Sequence, residues 1–179
     1  NVSFMNNEVL NLDGTINGVP LNTDYVTWGA PNSYLIKGQP IGTFYILQHE
    51  GKDASNAETV VDQDGDGIID QGDRSKDRVM QGSALPTYTF AFNPTLRYKH
   101  FDASLLLRGS GGNKIYNTVN QRSSYLETIG RSNVLESAVD LGIYTSKYTS
   151  NLWLEDGSFV RLDNVTAGYN FGFKDKFFE

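Results

Sequence analysis

The segment DQDGDGIIDQGD, Asp62 to Asp73, sets five aspartates at alternating or nearly alternating positions around Gly65 and Gly67. Carboxylates at that spacing suit a hard cation. Calcium takes about six to eight oxygens in one compact shell, and a twelve-residue loop supplies them from positions 1, 3, 5, 7, 9 and 12 with Gly at 6. With Asp62 at position 1, Asp64 falls at 3, Asp66 at 5 and Gly67 at 6; Ile68 offers its carbonyl at 7, Asp70 stands at 9 and Asp73 at 12. Every second residue must point inward as the chain wraps an ion, and Gly67 lies where the wrap turns sharply. The expected ligand set is therefore Asp62, Asp64, Asp66, the Ile68 carbonyl, Asp70 and Asp73, with calcium as a structural ion. Two features depart from the pattern. Position 12 is Asp rather than Glu, a shorter arm for bidentate closure, and neither flank reads as a helix. The competing reading is an acidic turn without an ion, in which the clustered carboxylates repel one another. Magnesium suits so many carboxylates on a flexible loop less well than the larger ion.

The loop must be carried by strands, because helical patterns are scarce; SNVLESAVDL, Ser132 to Leu141, is the best of them and is short. Four strands are expected, over 34–48, 87–98, 101–109 and 159–171. In the second, Tyr88, Phe90, Phe92, Leu96 and Tyr98 alternate with Thr87, Thr89, Ala91, Thr95 and Arg97, the period of two of a strand with one apolar face. The third sets Phe101, Ala103, Leu105 and Leu107 against Asp102, Ser104 and Arg108, and the fourth sets Val165, Ala167, Tyr169 and Phe171 against Asn164, Thr166, Gly168 and Asn170. Only Lys99-His100 separates the second strand from the third, which predicts a tight hairpin. By contrast, residues 49–86 and 110–158 form long connections, the first holding the aspartates.

Long and short connections thus alternate. In an up-and-down sheet this puts all long connections at one edge and all short ones at the other, the asymmetry of an outer-membrane barrel, whose tilted strands alternate apolar-out and polar-in. Tyr at both ends of the second strand matches an aromatic girdle around an apolar band. The expected fold is all-β: antiparallel up-and-down strands forming part of a transmembrane β-barrel, with long extracellular loops. A soluble sandwich strand with one buried face is the alternative.

Composition narrows the function. With 39% hydrophobic and 12% aromatic residues the chain is not composed like a disordered one, and its net charge of −6 argues against nucleic acid as a partner. It has no Cys, which excludes disulfides and thiolate metal sites within these 179 residues. No run approaches the roughly 18 apolar residues of a membrane helix. The opening NVSFMNNEVL and the close NFGFKDKFFE lead us to expect a segment of a longer protein.

The order of GQPIGTFY from Gly38, DQDGDGIIDQGDR from Asp62, LRGSGGNKIYN from Leu107 and LEDGSFVRLDNVTAGYNF from Leu154 resembles the C-terminal part of SusC-like TonB-dependent outer-membrane receptors of the Bacteroidota. DGSFVRLDNVTAGY is the most specific piece, and the first thirty-odd residues match only loosely. The resemblance implies location in the Gram-negative outer membrane, in contact with its lipid, and import of glycans or peptides with a SusD-like lipoprotein lid. It also implies energy coupling to TonB through an N-terminal region that this chain does not contain, so residues 1–179 read as a partial barrel segment. The alternative is a soluble, calcium-stabilised β-module that binds glycans or another protein at the cell surface.

The remaining features weigh little. The 110–158 connection carries Tyr116, Asn117, Tyr125, Tyr144, Tyr148 and Trp153; aromatic faces with amides can bind sugars, but loop packing is the commoner role. The GSGG from Gly109 lacks the Lys-Ser/Thr of a phosphate loop. Neither His49 nor His100 has a catalytic partner at recognisable spacing, and no nucleophile–base arrangement is present, so no enzyme is expected.

Overall fold

In the computed structural model, which describes residues 1–12, 32–72 and 75–171 together with the backbone of residues 15–16, 19–20 and 25–27, nearly all regular structure is strand. In chain order the strands are β1 (Val2–Phe4), β2 (Thr15–Ile16), β3 (Val19–Pro20), β4 (Tyr25–Thr27), β5 (Ser33–Ile36), β6 (Thr43–Leu47), β7 (His49–Lys52), β8 (Glu58–Val60), β9 (Arg78–Ser83), β10 (Tyr88–Phe92), β11 (Thr95–Tyr98), β12 (Phe101–Gly111), β13 (Lys114–Tyr116), β14 (Leu154–Asp156) and β15 (Phe159–Tyr169). Two short helices, α1 (Thr118–Ser123) and α2 (Glu136–Leu141), lie between β13 and β14. The chain divides into two units. The first joins Asn1–Met5, Pro86–Gly111 and the chain from Ser158; the second joins Asn6–Leu85 and Gly112–Gly157.

The first unit is one antiparallel sheet built around β12. On one side β12 pairs with β15, from Phe101 opposite Tyr169 to Ser110 opposite Phe159. On the other it pairs with β10 and β11, which are one strand in a single register interrupted at Asn93-Pro94: Phe92 lies opposite Leu107 and Thr95 opposite Ser104. The interruption is local because Pro94 lacks the N–H that would continue the ladder, while its carbonyl still accepts from the Leu105 N–H at 3.3 Å. The turn at Lys99-His100 puts Lys99 in the left-handed region, φ 54°. Beyond β10 lies β1, with Val2 opposite Phe90 and Phe4 opposite Tyr88.

This register corrects one expectation. The strand that precedes β10 in the sheet is β1, not residues 34–48. No single strand runs over 34–48; β5 and β6 form a hairpin there, with Ser33 opposite Phe44. The cause is local. Gly38 and Gly42 turn the chain at φ 77° and 72°, and Pro40 between them cannot donate to a ladder.

In the second unit β4, β5, β6 and β9 make a sheet in that order, β7 pairs with β8, and β13 pairs with β14. The stretches 49–86 and 110–158, expected as loops, are therefore built structures. Within the second unit Phe44, Ile46, Leu47 and Val60 are buried, and Tyr125, Ile143 and Trp153 form a cluster on which Tyr116, Leu141 and Leu152 pack. The Tyr125 and Trp153 rings meet edge to face at 5.7 Å, and the indole N–H donates to the Tyr125 hydroxyl at 3.1 Å. Packing is thus the role of Tyr125 and Trp153, and burial pushes the Tyr116 phenol above its usual range. Tyr144 remains exposed.

Candidate functional site

The acidic loop leaves β8 and returns into β9, and its shape follows from aspartates accepting backbone N–H groups. The two oxygens of Asp62 accept from Gly65 at 2.7 Å and Gly67 at 2.8 Å. These bonds stabilise the anion and hold the Asp62 carboxyl below its ordinary range, the Gly67 N–H contributing most. Gly67 adopts φ 82°, as the sharp turn at position 6 requires. Asp66 accepts from the Ile68 N–H and Asp70 from the Gly72 N–H, both within two residues.

The structure brings together part of the expected ligand set and adds one residue. Carboxylate oxygens of Asp62, Asp64 and Asp77 lie within 4.8 Å of one another. Asp66 and Asp70 are not in that group, the Ile68 side chain is exposed, and Asp73 lies outside the described residues. Asp77 is the residue the sequence reading missed. It is 1% exposed and accepts from the Gln63 N–H at 2.9 Å and the Asp70 N–H at 2.8 Å, so it ties both arms of the loop to the start of β9. The only signal for it was an acidic residue just past the twelve-residue pattern, in RSKDR. The Lys76 ammonium approaches Asp64 at 3.6 Å from the same segment.

Asp77 is not the only buried carboxylate of the second unit. Glu58 of β8, 3% exposed, accepts from the Ser150 hydroxyl and meets His49 Nδ1 at 3.0 Å. It fastens the β7–β8 hairpin to the segment that leads into β14, and sequence spacing carried no hint of it.

The first unit offers a surface rather than a pocket of catalytic groups. Residues directly opposed in a ladder share a face, so the register puts Val2, Phe4, Tyr88, Phe90, Phe92, Leu96, Tyr98, Phe101, Leu105, Leu107, Leu162, Val165 and Tyr169 on one side. That side is uncovered: Phe92 is 59% exposed, Leu96 67% and Val165 64%. A soluble sandwich would bury this face against a second sheet. Aromatic residues mark both ends. Phe4 and Tyr88 stand at one, and at the other the Tyr169 ring lies 4.8 Å from Phe101 and 4.6 Å from Phe171. From Tyr88 to Tyr98 the strand takes ten steps, roughly 34 Å at about 3.4 Å per residue; a tilt of about 40° leaves a height of roughly 26 Å, close to the ~25 Å apolar band of a barrel wall.

No protein-family model matches the chain. Among curated proteins it is 32% identical over 145 residues to the TonB-dependent receptor SusC of Bacteroides thetaiotaomicron, an alignment that covers 75% of this chain. The chain belongs to the SusC-like TonB-dependent receptors. A TonB-dependent receptor of Formosa agariphila is 30% identical over 165 residues, covering 76% of the chain. The RagAB peptide importer in its closed-closed state shares the fold at a TM-score of 0.65 and 16% identity over 84% of the chain. This SusC-like chain spans 14% and 16% of the two curated relatives and 19% of the RagAB chain it matches. The sheet of its first unit is thus part of an outer-membrane β-barrel wall.

Proposed function

We propose that this SusC-like segment serves in TonB-dependent import of a glycan or peptide across the outer membrane, working with a SusD-like lipoprotein and coupled to TonB through a region outside the chain. The observation that carries the reading is the uncovered apolar face of the β10–β12–β15 sheet, bounded by aromatic residues at the height of a bilayer core. The relatives are receptors rather than enzymes, which supports a role in binding and passage without catalysis. The same reading puts the Lys99-His100 turn on the periplasmic side. The test is fractionation of cells that express the full-length receptor. A large outer-membrane band that migrates faster unheated than boiled is expected; a soluble product would overturn the reading.

We further propose a structural calcium ion at the acidic loop. What supports it is the convergence of Asp62, Asp64 and Asp77, an all-oxygen donor set of the kind a hard cation takes. On this reading Asp66, the Ile68 carbonyl, Asp70, Asp73 and water complete the shell. The ion would neutralise the cluster and fix the link between β8 and β9.

A further inference from the structure

The polar face of the first unit carries a constellation that neither the lipid wall nor the acidic loop uses. The ladder between β12 and β15 slips between Leu106 and Leu107, so that Leu106 lies opposite Asn164 and Leu107 opposite Leu162. Asp163 is the extra residue of this bulge. A bulge sets two successive residues toward one side, and here the side is the interior one, where Arg108 and Arg161 lie directly opposite each other. The Asp163 carboxylate accepts from the Nε–H of both arginines, Arg108 on one oxygen and Arg161 on the other.

That geometry has a consequence for the arginines. Each meets Asp163 through Nε, so two guanidinium groups share one carboxylate and keep their terminal nitrogens for other partners. About half of each arginine side chain is exposed, 49% for Arg108 and 58% for Arg161, while Asp163 is more enclosed, at 20%. Two cations against one anion leave a local surplus of positive charge. At the other end of the sheet Arg97 lies opposite Asp102. A guanidinium fork is the side chain best shaped for a planar or tetrahedral oxyanion.

One row beyond the arginines the interior face presents hydroxyls. Ser3 lies opposite Thr89, Thr89 opposite Ser110, and Ser110 opposite Phe159. Adjacent strands are about 4.8 Å apart, so three hydroxyls stand in a line at that interval and end at an aromatic ring. None of the three makes a hydrogen bond among the described residues. The Arg161 guanidinium lies 5.9 Å from the centre of the Phe159 ring, which braces the ring against the fork. Ser3, Thr89, Arg108, Ser110 and Phe159 line one open cavity, to which Phe90 and Gly109 also contribute.

We propose that this cavity, together with the Arg161 guanidinium beside its Phe159 wall, is an interior binding patch for an anionic oligosaccharide: Arg108 and Arg161 take a carboxylate or sulfate, and the Ser3–Thr89–Ser110 row exchanges hydrogen bonds with the sugar hydroxyls beside it. Asp163 acts as a positioning residue. The inference rests on the import reading and narrows its substrate class. A peptide carboxylate could satisfy the forks, but it offers no run of hydroxyls to the row.

The experiment is calorimetric titration of the purified full-length receptor in detergent with trigalacturonate, a heparin-derived sulfated disaccharide, neutral maltotriose and a triglutamate peptide. Heat-modifiable mobility of the same sample checks the import reading separately. Binding of trigalacturonate or the sulfated disaccharide, weakened at least tenfold by Arg108→Gln with Arg161→Gln and at least threefold by Thr89→Val with Ser110→Ala, is the expected result. The carboxylated and sulfated probes distinguish the two sources of the anion. Arg108→Lys, which keeps the charge and loses the fork, should fall between wild type and the double glutamine variant. Binding of triglutamate in preference to both acidic saccharides, binding of maltotriose alone, or acidic binding unchanged in both double variants would overturn the proposal while a heat-modifiable barrel leaves import standing. Should the glutamine variant fail to assemble, the Thr89→Val, Ser110→Ala pair decides.

Discussion

Asp77 accepts a hydrogen bond from the backbone N–H of Asp70 at 2.8 Å, and this bond fastens the acidic loop to the buried start of β9. Its second oxygen does the same for Gln63. The loop is therefore organised from outside its own twelve-residue pattern, by a carboxylate with almost no access to water. Replacing Asp77 with Ala removes the acceptor of two N–H groups, and each donor left unsatisfied costs about 1–3 kcal/mol. Hydrogen exchange of the full-length receptor should show faster exchange at Gln63 and Asp70 in Asp77→Ala, with residues of β12 unchanged.

The loop should also respond to calcium and to pH. Millimolar calcium should slow exchange across residues 62–72, and Asp62→Ala should abolish that response. The Asp62 carboxyl is held below its ordinary value of 3.8 in the folded loop. A group depressed in this way stabilises the fold above its unfolded pKa and loses that contribution as pH falls through the folded one. Protection of the Gly65 and Gly67 amides should accordingly be flat from pH 7 to 5 and decline only below about pH 4. Decline beginning near pH 6 would contradict this.

Phe92 lies near the middle of the strand formed by β10 and β11, which on the proposed reading is the level where lipid is least tolerant of charge. Phe92→Arg should destabilise the assembled barrel by about 2–4 kcal/mol. Urea titration of the heat-modifiable band in lipid vesicles would measure it, with Thr95→Arg on the interior face as the comparison expected to shift little.

Gly109 is packed on both sides of the ladder. A Cβ there would lie 2.6 Å from the Phe90 ring and 2.5 Å from the Phe159 carbonyl oxygen. The ring could turn aside, but the backbone oxygen belongs to the paired strand and cannot. Gly109→Val should cost about 1–3 kcal/mol by overpacking and lower the yield of assembled receptor, read as the fraction of unheated band that migrates fast. Truncating Phe90 to Ala in the same chain should restore little of it.

The sheet was legible in the sequence where both faces had a period of two. Residues 87–98 and 101–109 alternate through their length, and a two-residue turn fixes their register, so β10, β11 and β12 fall where the pattern puts them. Three other features were hidden for physical reasons. In β1 only Val2, Ser3 and Phe4 pair, too few residues for a period to show. In 34–48 the apolar content suggested one strand, but Gly38, Pro40 and Gly42 outweigh it and fold the segment back on itself. Asp77 was obscured because its role comes from burial against β9 rather than from spacing along the loop. Likewise, the arginine pair depends on a bulge at Asp163, and a one-residue slip between strands leaves no mark on either strand alone.

The account turns on which face of the β10–β12 hairpin meets lipid. The chain has no Cys, so single cysteines can be introduced into it at Phe92 and at its neighbour Ala91 in a full-length receptor freed of any other cysteine. Each would be tested in outer-membrane vesicles with a bimane label, against a nitroxide carried on lipid chains and a membrane-impermeant thiol reagent. The account predicts strong quenching by lipid at Phe92→Cys, and at Ala91→Cys little quenching together with reaction with the aqueous reagent. Equal protection of both positions from lipid and reagent, as in a buried sandwich core, would contradict it.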